Sequence, residues 1–132
     1  MTKIIVIDDE KDIRDVLKIV LEREGFDVST ASNSEDGLEL LRNDGADLVI
    51  TDIIMPGKDG VDTVYTIRME FPNTKIIVIS GGGKVTPMEY EPSAISTSAY
   101  LASATAAGAD MALTKPFDRA EILSAVNELM QA

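Results

Sequence analysis

The sequence predicts an α/β domain built on a parallel sheet with strand order 2-1-3-4-5. Two observations lead there. Short β-branched runs of period two alternate with longer stretches of helical period, five times along 132 residues. The runs Ile4–Ile7, Leu48–Ile50 and Ile76–Ile79 are apolar at every position, which suits central strands covered on both faces. Right-handed crossovers then limit the topology.

The elements follow in order. Lys3–Asp8 (KIIVID) reads as the first strand. Lys11–Glu24 reads as a helix with Ile13, Val16, Leu17, Val20 and Leu21 at helical spacing, and Gly25 is its expected stop. Phe26–Ser32, of mixed polarity, suits an edge strand. Ser34 is the expected cap of a helix running to about Asn43, with Leu38 and Leu41 inward. Asp47–Asp52 (DLVITD) is a buried strand. Gly60–Phe71 is helical with Val61, Val64, Ile67 and Phe71 on one face, and Pro72-Asn73 breaks it. Lys75–Ser80 (KIIVIS) is a third buried strand. Ala109–Thr114 is a short edge strand. Asp118 and Glu121 form an Asp-x-x-Glu capping box before a last helix carrying Ile122, Ala125, Val126, Leu129 and Met130.

Composition removes several chemistries. The chain has no Cys, hence no disulfide, thiolate nucleophile or thiolate-bound metal. It has no His, hence no imidazole base or ligand and no phosphohistidine of its own. A metal here would be hard and oxygen-ligated, such as Mg²⁺, Mn²⁺ or Ca²⁺. The net charge of -11 argues against direct contact with nucleic acid or an anionic membrane. Residues 1–60 hold 15 of the 23 acids. The apolar runs are too short to span a membrane, and no signal-peptide pattern opens the chain, so a cytoplasmic protein is expected.

The strand order puts the ligand crevice beyond the carboxyl ends of strands 1 and 3. Strand 1 ends in Asp8-Asp9, strand 3 in Asp52, strand 4 in Ser80, and strand 5 leads to Lys115. Parallel strands bring these ends to one edge. Any one of them read alone is an ordinary loop acid, turn serine or surface lysine; together they form a set. Clustered carboxylates repel and call for a divalent cation. A lysine supplies charge to an anionic oxygen, and a carboxylate can itself accept a phosphoryl group. Pro56, Gly57 and Gly60 shape the turn beside the site, where Gly tolerates positive φ.

Asp8-Asp9, Asp52, the run Met55-Pro56-Gly57-Lys58-Asp59-Gly60, Ser80 and Lys115-Pro116-Phe117, in this order and spacing, resemble a response-regulator receiver domain of two-component signalling. The resemblance covers residues 3–131. It implies a flavodoxin-like (βα)5 doubly wound sheet. It also implies that Asp52 accepts a phosphoryl group from a sensor histidine kinase or a histidine phosphotransfer protein. Mg²⁺, for which Mn²⁺ can substitute, would be held by Asp8 (through water), Asp9, Asp52 and the backbone carbonyl of Ile54. Lys115 would pair with Asp52 or its phosphoryl, Ser80 would bond the phosphoryl, and Lys115-Pro116 would be a cis peptide. The chain would not be an enzyme acting on other molecules. It is expected to be one receiver domain over 1–132, a stand-alone regulator rather than a piece excised from a larger protein, acting on a downstream protein target.

Three departures accompany the resemblance. The position three residues before Lys115, where the family places a switching aromatic, is Ala112, so a switch by loop and helix movement is expected. Ser80 and Lys115 are 35 residues apart, longer than a compact crossover requires, with the surplus over 81–100. That stretch, opening on Gly81-Gly82-Gly83, reads either as a surface insertion or as a lid sensitive to phosphorylation. The positions that tune hydrolysis in the family are Ile54 and Gly82, neither able to orient a water, which implies slow self-dephosphorylation. One alternative is a metal-dependent phosphohydrolase with an aspartyl nucleophile. In the haloacid-dehalogenase type a second Asp stands two residues on, and here Ile53-Ile54 follow Asp52. Another is a flavin- or nucleotide-binding protein, whose phosphate Asp8-Asp9-Glu10 would repel unless a metal intervenes.

Overall fold

Strands that are apolar at every position need cover on both faces, and the fold supplies it. The structure, a computed structural model, describes residues 2–53, 60–80 and 104–130. Its strands are β1 (Lys3–Ile7), β2 (Asp27–Ala31), β3 (Leu48–Asp52), β4 (Lys75–Ser80) and β5 (Met111–Thr114). The helices are α1 (Lys11–Arg23), α2 (Ser34–Asp44), α3 (Gly60–Glu70), the four helical residues 104–107 (α4), and the carboxyl-terminal helix (α5, Arg119–Met130). All five strands are parallel, in the order β2-β1-β3-β4-β5. The expected architecture is therefore observed, with element ends shifted by one or two residues.

The two-residue period of a strand divides the core in two. Ile4, Val6, Leu48, Ile50, Ile77 and Ile79 face α1 and α5, packing with Leu17, Leu21, Ile122 and Val126. Ile5, Ile7, Val49, Ile76 and Val78 face the other way, onto Leu38 and Leu41 of α2 and Val64 and Ile67 of α3. Burying each such side chain contributes about 1.5–3 kcal/mol, so the central strands supply much of the driving force.

Helix ends follow local rules, with two corrections. Gly25, at φ 93°, ends α1: its N–H donates to Glu22 O and the Phe26 N–H to Leu21 O, the paired bonds of a Schellman stop. The Asp118/Glu121 box closes as expected, the Glu121 N–H donating to Asp118 Oδ1 at 2.8 Å and the Asp118 N–H to Glu121 Oε1 at 3.2 Å. The cap of α2, however, is Asn33 rather than Ser34; Asn33 Oδ1 accepts the Asp36 N–H at 2.8 Å. Ser34 lies one residue inside the helix and is buried, its Oγ accepting the Thr63 hydroxyl at 2.8 Å and tying α2 to α3. The other correction is Val16. It shares the helical spacing of the inner residues but is 54% exposed, because α1 rotates Leu17 and Leu21 onto the sheet.

Gly60 is required by space and not, as expected, by a positive φ: it opens α3 and its φ is not positive. A Cβ there would collide with the Ile53 backbone, so the start of α3 sits against the chain that follows β3. Ile54, Pro56 and Gly57 of the adjoining turn lie outside the described residues, as do Gly81, Gly82 and the 81–100 stretch.

Candidate functional site

Register fixes where the strand ends meet. Ile7 of β1 pairs with Ala31 and Thr51, Asp52 of β3 with Ile79, and Ser80 of β4 with Thr114. Asp8, Asp52, Ser80 and Lys115 are therefore at or one residue past the carboxyl end of neighbouring strands. The Lys115 N–H donates to Ser80 O at 2.8 Å, and Lys115-Pro116 is cis.

One ammonium serves three carboxylates. Lys115 Nζ donates to Asp52 Oδ2 at 3.0 Å and to Glu10 Oε2 at 3.1 Å, and lies 3.1 Å from Asp8 Oδ2. The side chains are only 7% exposed for Lys115, 0% for Asp8, 4% for Asp52 and 21% for Glu10. Asp9 is exposed, yet it reaches the same place: Asp8, Asp9 and Asp52 each offer a carboxylate oxygen within 4.8 Å of the others. Burial would lower the Lys115 ammonium, but the bond and charge of Asp52, then the charge of Asp8 and the bond of Glu10, hold it above the ordinary lysine value. Burial raises the Asp8 carboxyl, and the Glu10 N–H and the Lys115 charge offset this only in part.

The balance is incomplete. Asp8 Oδ1 accepts the Glu10 N–H at 2.8 Å, whereas buried Oδ2 accepts no hydrogen bond among the described residues. The buried Ser80 Oγ likewise has no partner among them. A buried carboxylate oxygen with an ion pair to Lys115 but no hydrogen bond among the described residues, within an all-oxygen donor set carrying more negative than positive charge, fits a hard divalent cation.

All five polar side chains placed at this edge by sequence, Asp8, Asp9, Asp52, Ser80 and Lys115, are at it. Ala112 is exposed on edge strand β5, opposite Val78, with no side chain long enough to swing. Two further residues at this edge hold Lys115 or the loop after β1, a part the sequence does not assign them. Glu10 is the third acid on Lys115, and Arg14 donates to Asp8 O at 2.8 Å, bracing the loop after β1. The sequence shows only their spacing of four residues across the start of α1; which strand end they serve comes from the register.

A doubly wound parallel sheet with acids and a bridging lysine at its carboxyl edge defines a class of proteins that handle phosphate through a carboxylate. Comparison with known proteins identifies the family. A family model for the response regulator receiver domain matches residues 4–91, and the chain belongs to that family. The transcriptional regulatory protein CpxR of Escherichia coli K12 is 31% identical over 99% of this chain and 50% of its own length. The chain thus spans about half the length of the curated relatives it matches. The receiver domain of NtrX from Brucella abortus superposes with a TM-score of 0.81 at 27% identity, covering 98% of each chain. A CheY-like receiver domain protein from Methanospirillum hungatei gives a TM-score of 0.84 at 25% identity, covering 99% of this chain and 95% of that one.

The chain is accordingly a receiver domain of two-component systems with a flavodoxin-like fold; a phospho-accepting role is supported, and the phosphohydrolase alternative is not favoured. Among the described residues no helix is long and apolar enough to cross a membrane.

Proposed function

We propose that Asp52 is the phosphoryl acceptor and that residues 1–132 form one receiver domain, including the long 81–100 connection. The observation that carries this is the buried Asp52 carboxylate held 3.0 Å from Lys115 Nζ, beside Asp8. An Asp52 carboxylate oxygen attacks the phosphorus of a phosphohistidine. The P–N bond breaks, its electron pair leaves on the donor imidazole, and an acyl phosphate remains on Asp52. Lys115 places positive charge where phosphoryl oxygens gather negative charge. Ser80 Oγ, buried without a partner among the described residues, donates to one of those oxygens.

Asp8, Asp9, Asp52 and the Ile54 carbonyl would hold Mg²⁺, or Mn²⁺ in its place. When bound it neutralises charge on the transferring phosphoryl group. The protein catalyses only its own phosphorylation and dephosphorylation. It works in the cytoplasm, and it switches a downstream protein contact or passes the phosphoryl group on. With Ala112 in place of an aromatic, the switch moves loop and helix.

Acetyl phosphate with Mg²⁺ tests the acceptor. Wild type should gain one phosphoryl group by intact mass, and Asp52→Asn none; equal incorporation would refute the assignment. Because Ile54 and Gly82 cannot orient a water, the acyl phosphate should be long-lived, and a half-life of seconds would overturn that reading.

A further inference from the structure

We infer that Glu10 restrains the reaction as a positioning residue: it holds Lys115 and adds negative charge at the mouth of the site, slowing phosphoryl uptake. This rests on the acceptor reading above. An ammonium has three N–H donors. One is given to Asp52 and one to Glu10, while Asp8 Oδ2 lies within 3.1 Å. No geometry at Asp52 requires the bond to Glu10, and it directs a donor away from the acceptor. Glu10 is also the outermost of the three partners, 21% exposed where Asp52 is 4% and Asp8 0%. Glu10 and Lys115 both line a groove of about 350 Å³ with Ile13, Leu17, Pro116 and Phe117, and Glu10 is the more exposed of the two, so its charge is the one solvent reaches more readily.

A phosphoryl group brings further anionic oxygens to this edge. They compete with Glu10 for Lys115, and its field opposes their entry. Removing that charge while keeping the shape and an acceptor oxygen should speed the reaction. The field component is open to salt, because Glu10 is not fully buried.

The test compares wild type, Glu10→Gln and Asp52→Asn at saturating Mg²⁺, with acetyl phosphate as donor and beryllofluoride as a non-transferable mimic. Glu10→Gln should take up phosphoryl about three- to tenfold faster than wild type at low ionic strength and bind beryllofluoride more tightly by a similar factor. The gap should narrow in about 0.5 M salt. A rate equal to or below wild type, or a gap insensitive to salt, overturns the inference while leaving the acceptor reading standing. Uptake by Asp52→Asn equal to wild type overturns the acceptor reading, and this inference falls with it. A purely structural role for Glu10 would lower the melting temperature without producing the salt-dependent gap.

Discussion

The two edges of the sheet treat charge in opposite ways. At the amino edge of β4 and β5, one cation is matched to its acceptors. Arg68 of α3 donates to Asp110 Oδ2 at 2.7 Å, to Gly108 O at 2.8 Å, to Pro72 O at 2.8 Å and to Thr74 O at 3.1 Å. The same Asp110 oxygen accepts the Ile76 N–H at 2.8 Å. The guanidinium fork clasps α3, the loop before β4 and the turn before β5 in one network. At the carboxyl edge, one lysine faces Asp8, Glu10 and Asp52, and two buried oxygens lack hydrogen bonds among the described residues. Native folds pair their buried polar groups almost everywhere. On the proposed function, an edge that leaves acids in excess is organised around something that arrives later, a cation and a phosphoryl group, whereas the contacts of the amino edge are complete in themselves.

Substitutions sharpen this contrast. Asp52→Asn has the largest effect: phosphoryl uptake is lost, yet unfolding free energy should stay within about 1 kcal/mol of wild type. Lys115 keeps Asp8 and Glu10, so no buried charge is left alone. A loss above about 3 kcal/mol in urea melts would make the acidic edge structural and end the contrast. Arg68→Ala should do the reverse. Removing the clasp leaves several carbonyls without this donor and Asp110 without its cation, though still bonded to the Ile76 N–H, costing about 2–3 kcal/mol, tempered by the partial exposure of the pair. Uptake from acetyl phosphate should remain within about twofold of wild type at a temperature where the variant is folded; a large loss of uptake would show that the two edges are coupled. Ser80→Ala is the smallest in stability. Deleting a buried hydroxyl that has no partner among the described residues should be neutral or add up to about 1 kcal/mol, while uptake slows. A stability loss above that size would mean the hydroxyl is bonded in the resting protein.

Much of this was legible beforehand, for identifiable reasons. The runs KIIVI, LVI and IIVI announce doubly covered strands, and their parallel order forces Asp8, Asp52, Ser80 and Lys115 to one edge whatever the loops do. Val16 and Ser34 were misplaced because periodicity narrows a helix face only to about a turn. Which of two adjacent residues caps or packs depends on how the helix docks: Asn33 has the extended backbone of a cap, and Ser34 turns inward to Thr63.

The sequence by itself determined the strand pattern, the order of the site residues along the chain and the exclusion of thiol and imidazole chemistry. Those are local or compositional properties. The tertiary structure alone decided that Lys115 is divided among three acids, that Glu10 is one of them, and that Ser80 Oγ is buried without a partner among the described residues. Lys115 and Glu10 are 105 residues apart in sequence. Only the strand register, set by packing on both faces of the sheet, brings them within 3.1 Å.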